Sequence, residues 1–278
     1  MFAKTPADGE IFAGNRAVGR VALSVAAGPR GTHRQRVHEA GSLRVRFPNG
    51  TNGGALDAVI VNTAGGMTGG DRFDIDISVG AGARLTATTA AAEKIYRSLG
   101  PNTLVGVKLK VGPGGALVWL PQETILFDQV RLERTIEVEL ARDASLILAE
   151  AVVFGRSAMG ETVARGHFLD RWRVRVGGAL AFAESLRLDG AIARRLAQGA
   201  VAAGGVAVAS ALKVPGDDTG VAAVRAIEQS LAGEVGASAW NGVTLARLIA
   251  LDGAALRRDL IGVLTALGGT PLPRLWLN

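Results

Sequence analysis

Cysteine is absent from the 278 residues. That removes disulfides, thiolate metal ligands and a thiol nucleophile together, and it fits a reducing compartment. Histidine is scarce: His33, His38 and His167 are the only three, with no H-E-x-x-H or H-x-H spacing. A closed transition-metal centre built within the chain is therefore not expected, because imidazole and thiolate are its usual ligands. A serine hydrolase would need one of these histidines, and no G-x-S-x-G accompanies them. Aromatics make up 5%, too few for a stacking platform for nucleic acid or sugar. Lysine occurs only at positions 4, 94, 108, 110 and 213. The net charge of +6 comes from 31 basic against 25 acidic residues, and the basic clusters are no longer than pairs such as Arg194-Arg195 and Arg257-Arg258. A nucleic-acid groove concentrates its charge more than this. No apolar run approaches the roughly 18 residues of a membrane span. MFAKTPADGEIF lacks the apolar stretch of a signal peptide. A soluble, cytoplasmic protein is expected.

Apolar residues, at 48%, suffice for a large core. Over the first two thirds they alternate with period two. Phe73, Ile75, Ile77 and Val79 alternate with Asp74, Asp76 and Ser78. Val105, Val107, Leu109 and Val111 repeat the pattern, as do Ile136, Val138 and Leu140, and Trp172, Val174 and Val176. Each reads as a strand with one buried face. VGAGARLTATT, VGPGGALVWLP, LARDASLILAE and VRVGGALAFAE each add a tight turn and a second strand. The units recur roughly every 30 residues, a spacing typical of stacked repeats. The expected fold is mainly β: layered antiparallel sheets with β-helix-like hairpin repeats and a small C-terminal helical flank. Leu43, Val45 and Phe47 suggest a further early strand. Residues 191–205 fit either a short helix or a strand pair. Helices are expected from about 219 to Gly233, capped by Asp217, Asp218 or Thr219, and through AALRRDLIGVLTALGG, with WNGVTLARLIAL extended between them. One domain is expected over 1–278, with a β body at about 15–190 and a helical or mixed flank at about 216–268.

NTAGGMTGGDRFDID carries two glycine pairs, at Gly65, Gly66, Gly69 and Gly70. No Gly-Lys-Ser/Thr follows, and the spacing is not G-x-G-x-x-G, so neither phosphate motif is present. The stretch reads as a tight bend closed by Asp71. Among the carboxylates Glu93, Glu150, Glu161 and Glu184 sit beside apolar or turn sequence, and a buried acid demands a partner. Lys94 and Arg97 neighbour Glu93, and Arg156 neighbours Glu161. On the residues alone, structural ion pairs, a generic β-solenoid binding or assembly protein, and a carbohydrate-active enzyme with paired carboxylates all stay open.

TAGGMTGGD, TTAAAEKIYRS, WLPQETILFD, ERTIEVEL and GRSAMGE occur in this order, followed near the end by PRLW. This series resembles the urease accessory protein UreD (UreH) family over nearly the whole chain. Ala90 stands where a glutamine is common in that family. The resemblance implies a β-rich scaffold that is not an enzyme and that serves nickel insertion into urease. The implied partners are apo-urease, a helical accessory protein F and, through F, a GTPase G. No nucleic acid and no membrane are implied. No tightly bound cofactor is implied, and Ni²⁺ would be transient cargo, with a channel through the protein as a family-level idea. Weakly binding carboxylates suit such passage better than strong ligands. Asp71, Glu93, Glu150 and Glu161 are the candidate residues along a polar interior. Gly65, Gly66, Gly69, Gly70, Lys94, Tyr96, Arg97, Pro121, Gln122, Glu123, Gly155, Arg156, Met159 and Gly160 carry the family-like motifs. The alanine-rich flank at about 219–267 is the expected docking place of partner F.

Overall fold

The computed structural model describes residues 15–48, 54–156, 159–268 and 272–277. The chain opens with a hairpin, β1 (Val18–Gly28) and β2 (Gly31–Gly41), and a second antiparallel pair, β3 (Leu43–Arg46) and β4 (Leu56–Asn62). It then winds in coils. β5 (Arg72–Val79), β6 (Arg84–Thr89) and the short β7 (Glu93–Ile95) make one coil. β8 (Thr103–Val111), β9 (Ala116–Leu120) and β10 (Thr124–Leu126) make the next. β11 (Val130–Leu140) and β12 (Ser145–Phe154) make a third.

β13 (Gly166–Val176) turns back through a true hairpin into β14 (Ala179–Gly190). A short helix, α1 (Ile192–Leu196), leads to β15 (Ala207–Val214). The flank follows as α2 (Asp218–Ile227), β16 (Glu234–Trp240), β17 (Val243–Ala250) and α3 (Gly253–Gly268).

Two sheets face each other. In the first, β1, β5, β8, β11 and β13 run parallel, with β2 and β14 antiparallel at its two edges. In the second, β4, β6, β9 and β12 run parallel. Here β3 closes one edge and β15, β17 and β16 extend the other antiparallel. The mainly β character, the β-helix-like layering and the helical flank thus agree with the sequence reading.

The pairing direction differs from that reading. Of the four strand–turn–strand units at 79–89, 111–121, 140–150 and 174–184, only the last makes a hairpin. The turns at 79–84, 111–116 and 140–145 are arches that carry the chain from one sheet to the other. Inward alternation and turn chemistry are the same for a hairpin and an arch, so the pattern fixes the buried face but not the pairing partner. The arches stack and pass hydrogen bonds between coils: the amide of Gly82 donates to Pro113 O, that of Ala116 to Ala83 O, and that of Ser145 to Gly115 O. The first two arches touch closely, a Cβ on Gly112 coming within 3.1 Å of Ala81 N, whereas the third carries Arg142 and Asp143.

The main core fills the space between the sheets, with Val21, Ile77, Leu109, Val138 and Val174 from the first meeting Leu85, Leu117, Leu148 and Leu212 from the second. A second core lies on the other face of the second sheet, where Leu256, Leu260, Val263, Leu264 and Leu267 of α3 pack on Ala149, Ala209, Ala246 and Leu248. Being covered on both faces explains why β12, SLILAEAVVF, reads as an almost unbroken buried run. Asp217 caps α2, accepting from the amides of Thr219 (3.0 Å) and Gly220 (3.3 Å). That helix stops at Ile227, short of Gly233, and the edge strand β16 follows. The buried apolar residues of both helices belong to this second core, while Trp240 and Leu251 of the same flank stay exposed. No described helix is long and apolar enough to cross a membrane.

Candidate functional site

A third, short parallel ladder runs across the coils on the side where the second sheet hands back to the first. Met67 bridges to Ile95, Ile95 pairs with Leu126, and Leu126 pairs with Phe154. All four side chains are buried. The motif segments are successive rungs of this ladder, although 28 to 31 residues separate one from the next.

The glycine stretch forms its first rung. A side chain on Gly66, at φ +143°, would come within 2.5 Å of the Tyr96 ring, which lies over it. A Cβ at Gly69 would sit 1.9 Å from Ser98 Oγ. The bend is therefore side-chain-free because the next coil rests on it. Asp71 is buried and accepts hydrogen bonds from the amides of Thr68 and Ala17, both at 2.8 Å. It fixes the bend to the strand beside it.

The PQE segment closes the far side. Arg257 of α3 donates to Gln122 Oε1 and Glu123 Oε1, each at 2.7 Å, and to Leu275 O at 2.9 Å. Trp276 is buried beneath it and donates through Nε1 to Leu120 O at 3.0 Å. Gln122 and Glu123, with Arg257, therefore tie residues 272–277 to the solenoid.

Between the sheets lies a cavity of about 350 Å³, lined by the apolar side chains Ile60, Met67, Phe73, Val107 and Leu132 and by Glu93, Gln122, Arg134 and Glu150. A second cavity of about 190 Å³ is lined by Arg134, Glu150, Asp170, Trp172, Glu184 and Arg247. Arg134 and Glu150 belong to both, so their contact is the partition between two chambers.

The partition is a buried charge network. Arg134 points inward from β11, and Asp170 is its register partner on β13. Arg134 donates to both Asp170 oxygens, Nε to Oδ1 at 3.1 Å and Nη2 to Oδ2 at 2.6 Å. Its Nη1 donates to Thr124 Oγ1 at 3.3 Å and, across the interior, to Glu150 Oε2 on β12. Trp119 Nε1 donates to Glu150 Oε1 at 3.0 Å. Burial works against the Arg134 charge, but Asp170 and Glu150 outweigh it and hold the guanidinium firmly protonated. Burial pushes the Glu150 carboxyl up to about 7, with Asp170 adding to the rise and Arg134 opposing it. With one cation against two carboxyls, the partition takes on negative charge only as pH rises through the Glu150 value.

Glu93 stands in the larger chamber. Its carboxylate accepts from Asn62 Nδ2 at 2.9 Å, while the next residue, Lys94, is exposed on the other face of β7. Burial pushes the Glu93 carboxyl up to about 7, and the bonds from Asn62 and the Lys94 amide only partly offset it. A folded-state value above the ordinary 4.5 means that the folded chain holds the extra proton. This contribution to stability is complete below about pH 4.5 and is lost as pH rises through about 7. Glu93→Gln keeps the acceptor for Asn62 and removes the penalty. Its unfolding free energy at pH 8 is expected to exceed the wild type's by about 1–3 kcal/mol. The gap should shrink markedly at pH 5, as read from urea unfolding at both pH values.

Of the four carboxylates named from the sequence, the fold brings Glu93 and Glu150 to one chamber. Glu161 instead pairs with Arg156 at 2.5 Å, next to the buried Gly155 and the exposed Met159 and Gly160. Arg97 lies exposed on the loop after β7. Glu184 pairs with Arg247 at 2.9 Å, linking the two sheets. Arg134 and Asp170 escaped the sequence reading. The signal was available: each has the parity of the buried face of its strand, Arg134 with Leu132 and Ile136, Asp170 with Trp172 and Val174. Among the described residues no three His, Asp or Glu side chains converge on a metal position. His33 and His38 lie on β2, and His167 sits 3.4 Å from both Glu133 and Asp189.

A two-sheet solenoid with a charged partition in its interior and a third ladder of motif loops is thus the class of protein. The family model for the UreD urease accessory protein matches residues 17–277. The chain is 57% identical to the urease accessory protein UreD of Rhodopseudomonas palustris strain HaA2, over 98% of this chain and 97% of that one. It is 55% identical to the urease accessory protein UreD of Bradyrhizobium diazoefficiens, over 96% of both. The chain belongs to the UreD urease accessory protein family.

Proposed function

We propose that this chain is a non-catalytic maturation factor of urease. It holds the apoenzyme together with the other accessory proteins, a helical protein F and through it a GTPase G, while nickel is delivered. The observation that carries this reading is membership of the UreD family across residues 17–277. The interior supports a further element, passage of Ni²⁺ as cargo through the two chambers. Glu93 and Glu150 are its polar stations, and Glu150 is the carboxylate that faces both chambers. Carboxylates already hydrogen-bonded within the protein bind Ni²⁺ more weakly than clustered imidazoles, so the ion could leave as readily as it enters.

The test is co-expression with urease and the other urease accessory proteins. Glu93→Gln and Glu150→Gln are expected to lower the nickel content and activity of urease while the complexes still assemble. Normal nickel loading with both variants would remove the interior route. Normal urease maturation without this chain would remove the whole reading.

A further inference from the structure

Residues 191–205 cross from the end of the first sheet to the second, over the smaller chamber. β14 ends at Gly190 and β15 begins at Ala207. Leu196, Val201 and Ala202 of this crossing line the chamber, together with Trp172, Glu184 and Arg247 of its walls. Val201 is also 40% exposed, so at that point the cover is one side chain thick.

The crossing is bonded to itself far more than to the body. α1 makes its own turn, the amides of Val201, Ala202 and Ala203 donate to Gln198 O, and that of Gly204 donates to Leu196 O. Its one hydrogen bond outward, among the described residues, runs from the Ala193 amide to Val163 O at 3.1 Å. Arg194 and Arg195 are exposed and form no salt bridge among the described residues. What holds the crossing down is apolar: Ile192, Leu196 and Ala202 are buried, while 193–195, 197–201, 203 and 204 are exposed. A compact loop closed on itself and seated by few side chains is a unit that opens without global unfolding.

Both ends carry a hinge. Gly190 has φ +76° and Gly204 φ +91°, and a Cβ at either would meet nothing within 4 Å. The backbone is free to turn there without striking a neighbour. Ala203, next to the second hinge, is held at φ +47°, a left-handed conformation that is costly for a residue other than glycine and that lifting the segment would relieve. Beyond the hinges the chain is fixed. Gly190 pairs with Gly166 on β13, and a Cβ at Gly205 would come within 2.4 Å of Ile249 Cγ2.

We infer that residues 191–205 are a lid on the second chamber. It swings open as one unit on Gly190 and Gly204 while both sheets stay paired, and it bares Glu184, Arg247 and the Arg134–Glu150 partition to solvent. The opening follows from the packing; its use as the mouth of the interior route rests on the reading proposed above.

Because the chain has no cysteine, single introduced thiols report the opening. Leu196→Cys and Ala202→Cys lie under the lid, and Ala87→Cys lies in the main core, where Ala87 is fully buried. Each full chain is labelled with iodoacetamide in native buffer and at rising urea below the unfolding transition. Both lid positions are expected to react about 100-fold faster than Ala87→Cys or more, with a much shallower urea dependence. Adding Ile192→Ala, which removes the anchor beside the first hinge, should raise labelling at both lid positions by the same factor, about tenfold. Labelling that matches Ala87→Cys in rate or in urea dependence would overturn the lid, since only global unfolding would then reach those thiols. A rise confined to Leu196→Cys would overturn movement as one unit. Should one lid variant fail to fold, the other decides the first comparison. Nickel loading of urease is a separate readout: normal loading with Glu93→Gln and Glu150→Gln removes the route and leaves the lid, whereas core-like labelling removes the lid and leaves the route.

Discussion

Replacing Arg134 with methionine is expected to lower stability at pH 8 by about 3–5 kcal/mol, because it strands two buried carboxylates. Wild-type Arg134 satisfies both Asp170 oxygens and one Glu150 oxygen at once. Methionine fills much of the volume and supplies none of the charge. Asp170 and Glu150 can then escape only by taking up protons, so the loss should shrink markedly at pH 5. The sign is fixed by linkage: the variant's carboxyls titrate higher in the folded than in the unfolded chain, and their cost grows as pH rises. Urea midpoints at both pH values read this directly. A second arm replaces all three members with apolar residues and should recover most of the loss, since a well-packed apolar cluster is often as stable as a buried charge network. A pH-independent deficit, or one below about 1 kcal/mol at pH 8, would mean that the network contributes packing rather than charge pairing.

The second large effect belongs to Trp276. Its ring is buried, its Nε1 donates to Leu120 O at 3.0 Å and Thr88 Oγ1 at 3.3 Å, and the Arg257 guanidinium lies over it at 5.1 Å. Trp276→Ala is expected to cost about 3–5 kcal/mol. The hole opens where the end of the chain meets the second sheet, so the soluble yield should fall as well. Leu251→Ala, at a side chain 76% exposed, should change stability by less than about 0.5 kcal/mol. Comparable losses in the two variants, measured by thermal unfolding, would show that residues 272–277 do not clamp the fold.

The strands were legible because burial forces their alternation. Phe73, Ile75 and Ile77 point to one core, whatever strand they pair with. The pairing itself was not legible, since GAGA at 80–83 and GG at 177–178 look alike locally, yet one crosses between sheets and the other folds back. β16 escaped notice because Gly236, Ala237, Ser238 and Ala239 give alternation with almost no contrast in hydrophobicity. In the site, Glu93 and Glu150 were picked out by their apolar surroundings. Their meeting in one chamber depends on parallel stacking of coils some 30 residues apart, which no local pattern encodes. Asp71 looked equally promising in the sequence, and only the fold shows its oxygens occupied by backbone amides.

A stack of parallel coils has no natural stopping point, for each rung leaves a row of amides and carbonyls ready for another. Here the chain itself ends the series. At one extremity β2 and β3 run against their neighbours, and at the other β14, β15 and the meander behind it do the same. The reversed strands have no successor coil to offer, and charged side chains such as Arg34 and Arg36 crowd the outermost one. The molecule is thereby kept from propagating end to end into a fibre, and its length is set by its own sequence at a few coils.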